Sequence, residues 1–166
     1  MPSMKIYFIA SSRLVGANPK LYTKMYNFLS EECKMVSDRV MKWIKGGVKD
    51  ISQASLTVKK GNYLQSIESV KKADVVVMEV SGHSMSMGYL ISKALEMNKP
   101  VVALHKKEHT PNFIKGINDP KLLISEYDED ILEEIFGEIN DEFDIEDENK
   151  LTIFALYNIP WICKIF

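Results

Sequence analysis

Hydrophobic positions in this chain gather into short unbroken runs separated by amphipathic stretches, most clearly between Ala73 and His105. Asp74 leads into Val75-Val76-Val77-Met78, a small polar loop runs from Ser81 to Ser86, and an amphipathic segment resumes at Gly88-Tyr89. Beyond Lys99-Pro100 stands a second run, Val101-Val102-Ala103-Leu104. Apolar runs without alternation mark strands buried on both faces, so this region reads as a βαβ unit. Its loop lies at the carboxyl end of a strand and at a helix N-terminus. Open parallel sheets place ligands there, and backbone N–H groups receive anions there.

The same reading applied along the chain gives a first strand over Lys5–Ala10, ending at Ser11-Ser12-Arg13. A helix follows from Pro19 to about Glu32, with Asn18 as N-cap and Leu21, Met25, Phe28 and Leu29 at helical spacing. Met35 to Ile44 is ambiguous, but the turn signal Lys45-Gly46-Gly47 places a second strand before it. The polar stretch from Val48 to Lys60 reads as a surface connection. A helix from about Asn62 to Lys72 then turns Leu64, Ile67 and Val70 inward. After the βαβ unit, Lys106 to Thr110 is a loop and Pro111 to Lys115 a short helical turn closed by Gly116. Leu122–Ser125 is a fifth strand. Glu129 to Asn140 is a last helix with Ile131, Leu132, Ile135 and Phe136 inward.

Alternation of strands and helices predicts one α/β domain, Rossmann-like, with a five-stranded and mostly parallel sheet covered on both faces. Right-handed crossovers with a reversal between strands one and three give the flavodoxin-like order 2-1-3-4-5. In that order the loop from Ala10 to Asn18 faces the loop from Ser81 to Gly88. Ser11, Ser12 and Arg13 then stand opposite His83, Ser84 and Ser86, a set suited to a phosphate or a sugar. The domain is expected over residues 1–143, followed by an acidic linker and apolar tail over 144–166.

Composition narrows the partners. With 21 basic and 23 acidic side chains the chain is near neutral, which gives no electrostatic footprint for nucleic acid or an anionic membrane. The acidic cluster from Glu126 to Asp147 reads as a solvated helix face and tail. Cys33 and Cys163 are far apart, with no CxxC and no neighbouring His pair. Neither a disulfide framework nor a metal centre is expected, and no cofactor. A reducing, cytoplasmic setting is the default. No signal peptide is visible, and no segment reaches the roughly 20 apolar residues of a membrane span. The tail residues Phe154, Tyr157, Trp161, Ile162, Ile165 and Phe166 are expected to pack on the domain or on a second copy.

The start IYF-x-x-S-x-R, the segment ADVVV-x-EV-x-x-x-S-x-x-x-GY and the KPV strand resemble the nucleoside 2-deoxyribosyltransferase superfamily. The branch they resemble most is that of the 2′-deoxynucleoside 5′-phosphate N-hydrolases, and the resemblance runs from Lys5 to about Phe143. It implies cleavage or exchange of the bond between a base and a deoxyribose. A glutamate early in the helix after strand three attacks or stabilises the anomeric carbon, and an aspartate on the preceding helix assists. Loop hydroxyls and an arginine hold sugar and phosphate.

Residue by residue, the resemblance makes Tyr7, Ser11, Arg13, Ser84 and Gly88 the ligand-binding set. It also places Leu90 where the glutamate stands and Ser66 where the aspartate stands. Two other residues are alternative candidates for catalysis. His83, in the pocket loop, has the chemistry of a general acid for a departing base. Glu79, near the end of strand three, is the other candidate, although a structural carboxylate accepting loop N–H bonds is the plainer reading. Glu68 reads as a solvated face and Asp74 as a turn-ordering residue. Met85, Met87 and Met97 read as adaptable packing.

The first expectation is a protein that binds a nucleotide or nucleoside without the usual N-glycosidic cleavage. An active glycosidase or deoxyribosyltransferase with rearranged residues is the second, and a structural subunit working through its tail is the third. The resemblance further implies a homodimer or larger homo-oligomer.

Overall fold

A computed structural model of the protein describes residues 4–127. The expected last helix, the tail, Cys163 and the domain boundary at 143 lie outside the described residues. The strands are β1 (Lys5–Ala10), β2 (Lys34–Met35), β3 (Val75–Glu79), β4 (Val101–Lys106) and β5 (Leu122–Tyr127). The helices are α1 (Ser12–Ala17), α2 (Pro19–Glu32), α3 (Arg39–Gly46), α4 (Leu56–Lys72), α5 (Met85–Glu96) and α6 (Asn112–Lys115). All strand pairs are parallel and the order is β2-β1-β3-β4-β5, as the crossover rules predict.

Both faces of the sheet are buried because alternate residues of the apolar runs point to opposite sides. Ile6, Phe8, Val75, Val77 and Val102 join Leu21, Tyr22, Met25 and Leu29 of α2 in one cluster. Tyr7, Ile9, Val76, Met78 and Ala103 join Ile67 and Val70 of α4, and Met87, Leu90, Ile91 and Ala94 of α5, in the other. The register Ile6↔Val75 through Ala10↔Glu79 brings the carboxyl ends of β1 and β3 level. The loops that follow them therefore emerge side by side. Among the described residues, no helix is long and apolar enough to cross a membrane.

β4 and β5 each run two residues past the expected ends, to Lys106 and Tyr127, and four other boundaries differ more from the sequence reading. The connection after β1 is not all loop, since Ser12–Ala17 forms a short helix with Val15 buried beneath it. Within Met35–Ile44 only the first residue belongs to β2, and Arg39–Gly46 is helix. α4 begins at Leu56, capped by the Ser55 side chain, not near Asn62; Leu64 is exposed. α5 begins at Met85, ahead of Gly88, with Ser84 as its cap.

Candidate functional site

The switch point lies where β1 and β3 pair, and a close packing contact joins its two loops. The Leu14 Cδ1 atom lies 2.8 Å from where a β-carbon on Gly82 would stand. Ser11 is half-buried and caps α1 without a side-chain hydrogen bond, while Arg13 is exposed on α1. On the other loop, the Ser84 Oγ accepts from Met87 N at 3.4 Å. The first-turn N–H groups of α5 beyond that bond have no acceptor inside the helix. His83 and Gly88 are exposed, and a β-carbon on Gly88 would meet nothing. The two loops thus meet through Leu14 and Gly82. Among the described residues, no hydrogen bond or ion pair joins Arg13 to Ser84.

Tyr7, Ser66 and Leu90 lie on the face covered by α4 and α5. Leu90 is 5% exposed and shares its apolar cluster with Tyr7. Tyr7 is 0% exposed, and among the described residues no group meets its hydroxyl with full hydrogen-bond geometry. Burial pushes that hydroxyl above the ordinary tyrosine value, while the Arg39 guanidinium and the Ser66 hydroxyl pull it the other way. Ser66 donates to the Asn62 carbonyl oxygen at 3.1 Å and accepts from Arg39 Nη1 at 2.6 Å. Arg39 also donates through Nη2 to the Asn62 carbonyl oxygen at 3.2 Å and to Gln65 Oε1 at 2.7 Å. The sequence reading missed Arg39. The signal was its place just after a strand's carboxyl end, hidden because β2 has only two residues.

Glu79 sits apart from this group, on a buried network of its own. Its carboxylate accepts from Tyr22 Oη at 2.8 Å, Ser81 N at 3.1 Å, Tyr127 Oη at 3.1 Å and the Ser81 hydroxyl. Burial and the neighbouring carboxylate raise the Tyr22 and Tyr127 hydroxyls well above the ordinary tyrosine value. Ser81 Oγ in turn accepts from Lys106 N at 2.8 Å. The carboxylate thereby ties α2, the loop after β3 and the end of β5 together. Asp74 accepts from Lys5 N at 2.8 Å and orders the entry of β1, while Glu68 is exposed and pairs with Lys71.

A cleft of about 370 Å³ opens at the β2 edge of the sheet, between Tyr26, Val36–Asp38 and the Gln65, Glu68, Ser69 and Lys72 face of α4. Its carboxylates Asp38 and Glu68 each face a lysine, Lys42 and Lys71, at 2.9 Å. Among the described residues, no three His, Cys, Asp or Glu side chains gather as metal ligands do.

No family model matches the chain. Two curated relatives do. A 5-hydroxymethyl-dUMP N-hydrolase of Tetraodon nigroviridis is 24% identical over 139 residues, covering 80% of this chain and 94% of that protein. A Syntrophotalea carbinolica protein, assigned by name as 2′-deoxynucleoside 5′-phosphate N-hydrolase 1, is 30% identical over 129 residues. That match covers 75% of this chain and 85% of the relative. Among solved structures, the CMP N-glycosidase BcmB of Clostridium botulinum superposes with a TM-score of 0.52 at 14% identity, covering 79% of this chain and 96% of that one. At that identity the superposition speaks for the fold.

Proposed function

The chain belongs to the nucleoside 2-deoxyribosyltransferase-like superfamily, and from that premise we propose that it binds a nucleotide in the crevice without cleaving the N-glycosidic bond. The observation that carries this reading is Leu90. Cleavage builds positive charge on the anomeric carbon, and a carboxylate beside that carbon stabilises it. At the position the resemblance assigns to that carboxylate stands an alkyl side chain, 5% exposed and packed in an apolar cluster. It has no lone pair to offer. Nor do the alternative candidates fill the gap: Glu79 is committed to the buried tyrosines and Ser81, and His83 is exposed, with no carboxylate paired to it among the described residues.

What remains suits holding rather than cutting. The α5 N-terminus offers first-turn N–H groups beside Ser84, and Arg13 stands exposed on the neighbouring loop, the donor chemistry a 5′-phosphate takes. Self-association is part of this reading. Tyr63 and Tyr89 face each other across α4 and α5 with ring centroids 6.1 Å apart and hydroxyls 3.1 Å apart, and Leu64, Met85 and Phe113 are exposed. Apolar surface of that kind is what subunit contacts cover. Light scattering is expected to give a dimer or larger species, and a strict monomer contradicts this part.

Thermal-shift titration tests the binding: a nucleotide at a hundred times its dissociation constant adds about 2.7 kcal/mol. Absence of a shift with every deoxynucleoside monophosphate favours the structural-subunit reading. Sustained release of free base, abolished in His83→Ala, establishes the active-enzyme reading instead.

A further inference from the structure

We propose that Tyr22, Glu79 and Ser81 are the positioning residues of the phosphate site, with one buried carboxylate setting the separation between its two halves. This deepens the nucleotide-binding reading and rests on it. The donors assigned to the phosphate sit on separate elements: Arg13 belongs to α1, while Ser84 and the first-turn N–H groups belong to α5. At the level of the loops, the halves touch through Leu14 and Gly82. That contact is apolar, and apolar attraction has no preferred direction.

The directional link lies one layer below. Asn18 ends α1 and starts α2: its N–H donates to the Leu14 carbonyl oxygen at 2.9 Å, and its Oδ1 accepts from Leu21 N at 3.3 Å. The next residue, Tyr22, is buried and donates to Glu79 Oε2 at 2.8 Å. The other carboxylate oxygen, Oε1, accepts from Ser81 N at 3.1 Å and from the Ser81 hydroxyl. Ser81 Oγ accepts in turn from Lys106 N at 2.8 Å, which pins the root of the loop to β4 as well. Ser84, the cap of α5, stands three residues on. A path of hydrogen bonds thus runs from the joint between α1 and α2, through the two oxygens of one planar carboxylate, to the root of the Ser84 loop. Hydrogen bonds fix distance and direction where an alkyl contact does not. Charge-assisted bonds to a phosphate are short, and a shift of about 1 Å in either half forfeits one of them. Glu79 is fully buried and acts on the ligand only through Tyr22 and Ser81.

Tyr127 separates positioning from stability. It donates to the same carboxylate, at Oε1 and 3.1 Å, but it ends β5, which carries none of the donors assigned to the phosphate. Calorimetry on a deoxynucleoside and its 5′-monophosphate reads the phosphate's share of affinity as the ratio of the two dissociation constants. In the unaltered protein that ratio is expected to be at least about tenfold. In Tyr22→Phe and in Ser81→Ala it falls below about threefold, whereas Tyr127→Phe, which loses a comparable buried bond, keeps it. A ratio that either of the first two variants leaves unchanged overturns the positioning role. An equal fall in Tyr127→Phe overturns it too, because the effect is then a general loss of stability. If Ser81→Ala fails to fold, Tyr22→Phe against Tyr127→Phe carries the comparison. In each of these cases the nucleotide reading stands. No binding of either ligand by the unaltered protein overturns both.

Discussion

Leu14 of α1 closes over Gly82 of the loop after β3, so that a β-carbon on Gly82 would fall 2.8 Å from the leucine Cδ1. This contact seats the two ligand loops against each other. Because the clashing atom is the end of a half-buried and flexible side chain, Gly82→Ala is expected to cost only about 1 kcal/mol. Gly82→Val adds bulk that Leu14 cannot clear and is expected to weaken nucleotide binding as well. Urea melts and calorimetry check this. Full affinity in the valine variant contradicts the seating role.

Glu79 is expected to behave as a structural carboxylate. Replacing it with glutamine puts an amide N–H₂ among the hydroxyls of Tyr22, Tyr127 and Ser81, with a cost of about 2 to 4 kcal/mol in denaturant unfolding. A change below about 0.5 kcal/mol contradicts this role.

The buried tyrosines predict an alkaline limit. The Tyr7, Tyr22 and Tyr127 hydroxyls are all raised by burial, and in the folded chain they stay protonated above the pH at which the unfolded chain begins to ionise. Their contribution is complete below about pH 10 and is lost as pH rises beyond it, by up to about 1.4 kcal/mol per pH unit for each tyrosine. Tyr22→Phe is expected to lower stability at neutral pH, through loss of its bond to Glu79, and to flatten the alkaline fall. Parallel curves for the two proteins would count against this account.

Ser84 has two roles that one substitution separates. Its Oγ caps α5 at Met87 N, and it stands beside the N–H groups assigned to phosphate. Ser84→Asp keeps a side-chain cap, so stability stays within about 0.5 kcal/mol, while its negative charge repels a phosphate. Nucleotide affinity is expected to fall at least about tenfold. Unchanged affinity would move the phosphate elsewhere.

Much of the fold was legible because its signals are strong. β1, β3 and β4 are uninterrupted apolar runs, and Asn18 with Pro19 marks the start of α2, where Asn18 Oδ1 accepts from Leu21 N at 3.3 Å. The strand order followed from crossover handedness and lengths. The misplaced boundaries have physical causes. The first turns of α4, from Leu56 to Lys60, are exposed all round, so they carry no apolar stripe to read. β2 is too short for a periodicity, and that obscured α3 and with it Arg39. Residues such as Ser84 and Leu90 could be singled out because they sit at fixed spacing after an easily recognised strand. The Tyr7, Ser66 and Arg39 cluster spans three elements distant in sequence, and only packing brings it together.

The most direct test of binding without cleavage is one incubation read two ways. The protein is held with a panel of deoxynucleoside 5′-monophosphates, affinity is measured by calorimetry, and free base is followed by chromatography. Saturable binding with no base released above the rate without protein is the expected result. Catalytic release of base by the unaltered protein would contradict it.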